Sequence, residues 1–157
     1  MNKVKNITIT ALACFSFGGA IVATNSLTNA VPTVAAASQE NIDIANRDIA
    51  TYLANCQQYE SNDKQFDGYT SIKNIQYLGN KQVKVTVNDD FYQLSKPHRD
   101  LLIDSLQNGV IGTLMDDQQQ KLAESDVHKG MKTKFYLNNQ LIGQSSKQNN
   151  RVMDWKK

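Results

Sequence analysis

The chain has 157 residues, of which 17 are basic and 15 acidic, and it contains two cysteines. This near balance of charge argues against a nucleic-acid-binding protein, because a phosphate backbone calls for a clear excess of Lys and Arg. No Walker-type loop, Rossmann glycine pattern or Gly-x-Ser-x-Gly motif is present, so the sequence gives no sign of the enzyme classes that those motifs define.

Residues 1–37 have the features of a secretory signal peptide. Two lysines precede an apolar stretch from Ile7 to Ala23, and a run of small residues leads up to Ser38. This is the order of charged region, apolar region and cleavage site that signal peptidases recognise. The sequence therefore predicts a secreted, extracellular or cell-surface protein that is cleaved near Ala37–Ser38 and has no stable membrane insertion afterwards.

Two alternatives for this segment are less favoured. An uncleaved anchor would need roughly 20 strongly apolar residues, whereas the apolar stretch contains glycines and threonines. Leu12-Ala13-Cys14 resembles a lipoprotein box, but the apolar run continues beyond it. Cleavage near Ala37 would leave Cys56 as the only thiol. Its place on an apolar stripe favours burial, and an intermolecular disulfide is the alternative.

The first half of residues 38–157 predicts a helix and then a hairpin. Apolar residues recur at three- and four-residue steps from Asn41 to Gln58, which is typical of one face of a helix. Valines alternate with polar residues over Val83–Val87, and Gly79-Asn80 separates this strand from the Tyr-, Ile- and Thr-containing stretch before it. Such a step between two strand-like runs indicates a β-hairpin.

A second helix and a second hairpin follow. Ser95 can cap the helix and Pro97 fits its first turn, and the apolar stripe runs on until the helix fades between Asp117 and Glu124. Lys132–Leu137 and Gln140–Ser146 then form two strands around Asn138-Asn139, a pair suited to a type I′ turn.

The predicted fold is a single α+β domain over residues 38–157, in the order α-β-β-α-β-β. Two helices would pack on one face of a four-stranded antiparallel sheet, because strands that arrive as hairpins favour antiparallel pairing. Residues 147–157 are mostly polar and are compatible with a loosely held tail.

Few side chains suggest chemistry. His98 and His128 have no partner at the spacing of a known metal motif, and the acidic clusters Asn88-Asp89-Asp90 and Asp116-Asp117 lack the spacing of a calcium loop. The sequence predicts no metal site and no cofactor, and no catalytic residue can be named. Enzymatic activity stays open, with a non-enzymatic role favoured.

Charge is distributed unevenly along the chain. Residues 38–126 carry 8 basic and 14 acidic side chains, whereas residues 127–157 carry 7 basic and 1 acidic. Aromatic residues lie among the basic ones, as on surfaces that meet polyanions. The candidate binding residues for a polymer or partner are Lys132, Lys134, Tyr136, Lys147, Arg151 and Trp155. The alternative is a solvated strand face with ordinary lysines.

Two stretches carry a resemblance to a known group of proteins. The end of the signal segment, Thr33-Val34-Ala35-Ala36-Ala37-Ser38, and the run from Val83-Lys84-Val85-Thr86-Val87 to Leu94-Ser95-Lys96 are similar to small secreted proteins of unknown function from lactic acid bacteria. A later strand pair, Lys134-Phe135-Tyr136 with Leu141 to Ser145, adds to the likeness, which covers about 60 residues. The resemblance implies a similar fold region but no activity and no site residues.

Three functions fit these observations. The favoured one is a secreted or surface-associated, non-enzymatic domain that binds a protein or an anionic polymer of the cell envelope, and not nucleic acid. The alternatives are a small secreted hydrolase acting on envelope glycans or peptides, with Asp or Glu side chains brought together by the fold, and a secreted enzyme inhibitor that presents a hairpin tip.

Overall fold

A computed structural model describes residues 39–116 and 122–156 of the chain. The predicted signal segment, its cleavage site and Asp117 lie outside the described residues. Helix α1 spans Gln39–Tyr59, helix α2 Lys96–Asp116 and helix α3 Glu124–Lys129. The strands are β1 Ile72–Tyr77, β2 Gln82–Val87, β3 Lys132–Leu137, β4 Gln140–Ser145 and β5 Met153–Trp155. Short 3₁₀ turns occupy Lys64–Phe66, Tyr69–Ser71 and Asp89–Tyr92.

The α+β class is confirmed, and both hairpins form where the sequence places them. In the first, the turn residues Gly79, Asn80 and Lys81 all have positive φ. In the second, Asn138 and Asn139 have φ of 47° and 64°. These left-handed values favour Gly and Asn, so the turn residues select the hairpin geometry.

The prediction of a four-stranded antiparallel sheet is wrong in detail. The sheet has five strands in the order β1-β2-β3-β4-β5, and β2 pairs with β3 in parallel. Between them, α2 and α3 return the chain to the end of the sheet where β2 began. A parallel pair requires such a crossover connection, whereas two consecutive hairpins do not specify how they meet.

The fifth strand lies in the segment that the sequence assigns to a loose tail. Met153, Asp154 and Trp155 pair antiparallel with Ser145, Gln144 and Gly143. The Trp155 ring packs with Phe91 and Phe135 at centroid distances of 5.6 and 5.5 Å. Packing of this large, partly buried ring against the core holds β5 in place.

One core joins the helices to one face of the sheet. Ile49 and Leu53 of α1, Leu106 and Val110 of α2, and the three valines of β2 are all buried in it. The intervening residues of β2 and β3 are exposed or half-buried, as the two-residue repeat of a strand requires. The sheet therefore presents a polar face opposite its core face.

Candidate functional site

The polar face of the sheet contains a groove at one end of the central strands. Its volume is about 470 Å³. It runs across the strands from the end of β1 to the connection after β4, because β1 and β4 end where β2 and β3 begin. The lining residues of β2, β3 and β4 with outward side chains are Gln82, Lys84, Lys132, Lys134, Tyr136 and Gln144.

The lining contains four lysines and no Asp or Glu. Lys84, Lys132 and Lys134 lie on the strands, and Lys147 lies on the rim after β4. Lys84 and Lys134 are register partners on the neighbouring strands β2 and β3. Among the described residues, none of the four lysines forms an ion pair. Like charges that face each other in a sheet are destabilising, so the groove is electrostatically suited to an anion.

Tyr136 orients one of these charges. The Lys84 ammonium lies over the Tyr136 ring, 5.2 Å from its centroid. This cation–π contact holds the ammonium within the groove at little cost, because the ring quadrupole attracts the charge without neutralising it. Lys84 therefore stays available as a full positive charge for a ligand.

The rim beyond β4 is held by internal hydrogen bonds. The Ser145 hydroxyl accepts from the Thr133 amide at 2.8 Å and donates to the Asn150 carbonyl at 2.8 Å. The same carbonyl accepts from the buried Gln107 amide at 2.8 Å, and the Asn150 side chain donates to the Gly130 carbonyl at 2.9 Å. These bonds tie the rim to α2 and to the start of β3, so the groove has one rigid wall.

Four of the six predicted binding residues line the groove, and two lie elsewhere. Lys132, Lys134, Tyr136 and Lys147 are in the lining. Trp155 instead packs on the core face, and the Arg99 guanidinium lies 5.7 Å from its ring centroid. Its position opposite the groove follows from strand periodicity, since Trp155 pairs with Gly143 and shares that residue's face.

Arg151 points away from the groove toward the helices. Its guanidinium forms an ion pair with Asp104 and donates to the Asn108 side chain at 2.8 Å. It also donates to the carbonyls of Val127, at 2.8 Å, and of His128, at 3.2 Å. Its N–H groups thus bond to residues of α2 and α3. In the structure, Arg151 holds the connection between β4 and β5 against these helices.

Among the outward-facing strand residues of the lining, the sequence did not predict Lys84, Gln82 and Gln144. The alternation Val83-Lys84-Val85 already places Lys84 on the solvent side of a strand. However, Lys84 lies beside Lys134 only because two strands pair in parallel, and these two register partners are 50 residues apart in the sequence. A count of the charged residues in the C-terminal segment could not include Lys84, because Lys84 lies earlier in the chain.

Where the structure describes them, the surroundings of the other candidate residues give no sign of a binding or catalytic site. Cys56 is buried at 3% exposure, and its burial raises the pKa of the thiol, so the predicted burial is confirmed. Asn88 caps the 3₁₀ turn by accepting from the Asp90 amide at 3.0 Å. His98 is exposed in the first turn of α2, and His128 is exposed in α3, 3.7 Å from Glu124. In the described part of the chain, no three His, Cys, Asp or Glu side chains are grouped so that they could hold a metal ion.

Comparisons with known proteins provide no family for the chain. No protein-family model, curated protein or solved structure matches it. Within residues 39–116 and 122–156, no helix combines the length and the apolar composition that a membrane crossing needs.

Proposed function

We propose that this protein is an exported binding domain that holds an anionic polymer of the cell envelope in the groove on the polar face of its sheet. The observation that carries the proposal is the register pairing of Lys84 with Lys134 in a lining without carboxylates. Lys132 and Lys147 extend this charge along the groove, over the width of three strands.

Electrostatics favours a polymer over a single small anion. Four ammonium groups spread across strands about 4.8 Å apart attract a chain of negative charges at several points at once. Each contact is weak in water, but contacts along one chain add through effective concentration. The binding should therefore weaken steeply as salt rises.

A pull-down on intact cell walls tests the proposal. The triple variant K132E/K134E/K147E should lose most of its retention, because three attractive charges become repulsive. The matched control K64E/K73E/K156E has the same net charge, and its three positions are exposed and do not line the groove. Equal retention of both variants and of the wild type would sink the proposal.

Export is part of the same proposal. The signal-like segment, the small residues before Ser38 and the likeness to small secreted proteins support it. Expression in a Gram-positive host should release a protein whose mass corresponds to residues 38–157. A product that keeps its first 37 residues and stays with the cells would contradict cleavage.

A further inference from the structure

We infer that the groove is built for a polymer whose repeating unit carries both a phosphate and a free hydroxyl group, that is, a polyol phosphate. This inference rests on the proposed function and adds the chemistry of the ligand. It follows from the polar groups of the lining that have no partner within the protein, and from their arrangement on the strands.

Some polar groups of the lining form hydrogen bonds within the described part of the protein, and others do not. Ser145, Ser146 and Asn150 form hydrogen bonds with their own rim. In contrast, the structure gives no hydrogen-bond partner among the described residues to the side-chain amides of Gln82 and Gln144 or to the Tyr136 hydroxyl. With the four ammonium groups, these three form the surface that a ligand meets.

Two ammonium groups of β3 each have an amide as a register partner on a neighbouring strand. Gln82 of β2 is the register partner of Lys132, and Gln144 of β4 is the register partner of Lys134. Side chains of register partners start about 5 Å apart on the same face of a sheet. The groove therefore contains two ammonium–amide pairs. They lie next to each other, because their lysines are two positions apart on β3.

Each kind of group selects a different part of a ligand. An ammonium only donates, so it fits an anionic oxygen. An amide both donates and accepts, which suits a hydroxyl, whereas an anion offers acceptors only. The lining contains no Arg, whose planar fork matches carboxylates in a bidentate manner, and Lys binds phosphate as a point charge. Two ammonium–amide pairs thus fit two successive units of a hydroxyl-bearing phosphate chain.

The test compares a phosphate polymer that carries hydroxyl groups with a phosphate polymer that has no carbon-bound hydroxyl group. Binding of the protein, purified as its expressing cells produce it, would be measured by calorimetry against a glycerol phosphate oligomer and against polyphosphate of equal charge, at one salt concentration. We expect the oligomer to bind roughly tenfold more tightly, since two amides gain hydrogen bonds to its hydroxyls. The double variant Q82A/Q144A should bring this preference to within about twofold and should lower the affinity for the glycerol phosphate oligomer more than the affinity for polyphosphate.

A matched control and two further probes separate the outcomes. Q140A changes an exposed glutamine at the far end of β4 and should keep the full preference. Equal affinity of the wild type for the two phosphate polymers would overturn the inference and leave the proposed function intact, whereas no binding of any polyanion would overturn both. Tighter binding of polyglutamate or of single-stranded DNA would replace the polyol phosphate as the ligand and so overturn the inference.

Discussion

Two glycines in α2 have opposite surroundings. A methyl group at Gly109 would lie 2.0 Å from the Tyr52 ring, which packs across α2 at this point. The Tyr52 hydroxyl is also within 2.5 Å of the Tyr69 hydroxyl, and Tyr69 bonds to Ser105 of α2 at 3.0 Å. At Gly112, a methyl group would meet nothing within 4 Å. Gly109 is therefore needed for the approach of α1 to α2, and Gly112 is not.

Alanine at these two positions should change the stability of the protein in opposite directions. G109A should lower the free energy of unfolding by about 2 kcal/mol, because the methyl group displaces a packed ring. G112A should raise it by up to about 1 kcal/mol, because alanine restricts the unfolded chain and favours the helix. Urea unfolding of both variants provides the check, and a stabilising G109A would contradict the packing described for Tyr52.

At the scale of elements, an ion pair joins the first hairpin to α3. The Lys81 ammonium lies 2.7 Å from the Asp126 carboxylate, which also accepts from the Ala123 amide at 3.1 Å. The hydrogen bond from Lys81, and then that from Ala123, hold the pKa of Asp126 below its ordinary value of 3.8. The folded state therefore binds a proton less readily at this carboxylate than the unfolded chain does.

The sign of the pH dependence follows from that depressed pKa. The stabilisation is fully present above the ordinary value of Asp126 and is lost as pH falls through the folded value. K81M should thus lower the free energy of unfolding by about 0.5–1 kcal/mol between pH 5 and pH 7, and by progressively less below about pH 4. K96M, which breaks the more exposed Lys96–Asp100 pair, is the control and should have the smaller effect. If the loss in free energy of unfolding caused by K81M grew toward acid pH, the depressed pKa of Asp126 would be refuted.

The connection between β4 and β5 contains Arg151, which is bonded to the helices, and Lys147, which lines the groove. R151Q removes the ion pair with Asp104 and leaves the Val127 and His128 carbonyls without their donor, so it should destabilise by about 2 kcal/mol. K147Q changes an exposed lysine of the groove and should alter stability by less than about 0.5 kcal/mol.

For binding to cell walls, K147Q should have the larger effect and R151Q the smaller one. K147Q should weaken retention on cell walls, whereas R151Q should keep it at temperatures where the variant is folded. Thermal unfolding and wall pull-downs of the same two samples measure both effects. If R151Q lost binding while fully folded, the guanidinium would belong to the binding surface after all.

At the scale of the whole molecule, the groove lysines should make stability depend on anions. Repulsion between Lys84 and Lys134 is relieved when an anion lies between them, so sulfate should raise the melting temperature of the wild type more than that of K84Q/K134Q. Sulfate also stabilises proteins in general, which is why the difference between the two proteins is the relevant quantity. Identical slopes against sulfate concentration would show that the groove holds no anion.

Local features of the sequence were enough to predict most elements. The helix α1, the Ser95 cap of α2 and both hairpin turns depend on residues close together in the chain: the Ser95 hydroxyl accepts from the His98 amide at 3.4 Å, and Asn138 and Asn139 supply positive φ. The short helix α3 was missed because six residues carry too little periodicity. The predicted basic face at Lys132, Lys134 and Tyr136 followed from the two-residue repeat of β3.

By itself, the sequence therefore determined most of the helices and strands, the burial of Cys56 and one basic strand. Only the tertiary structure decided that β2 lies parallel to β3, which brings Lys84 beside Lys134, and that Arg151 and Trp155 face the helices and the core. The physical reason is the range of the interactions. Turns and helix faces are set by neighbouring residues, whereas strand order and the side on which a ring is buried depend on contacts between distant parts of the chain.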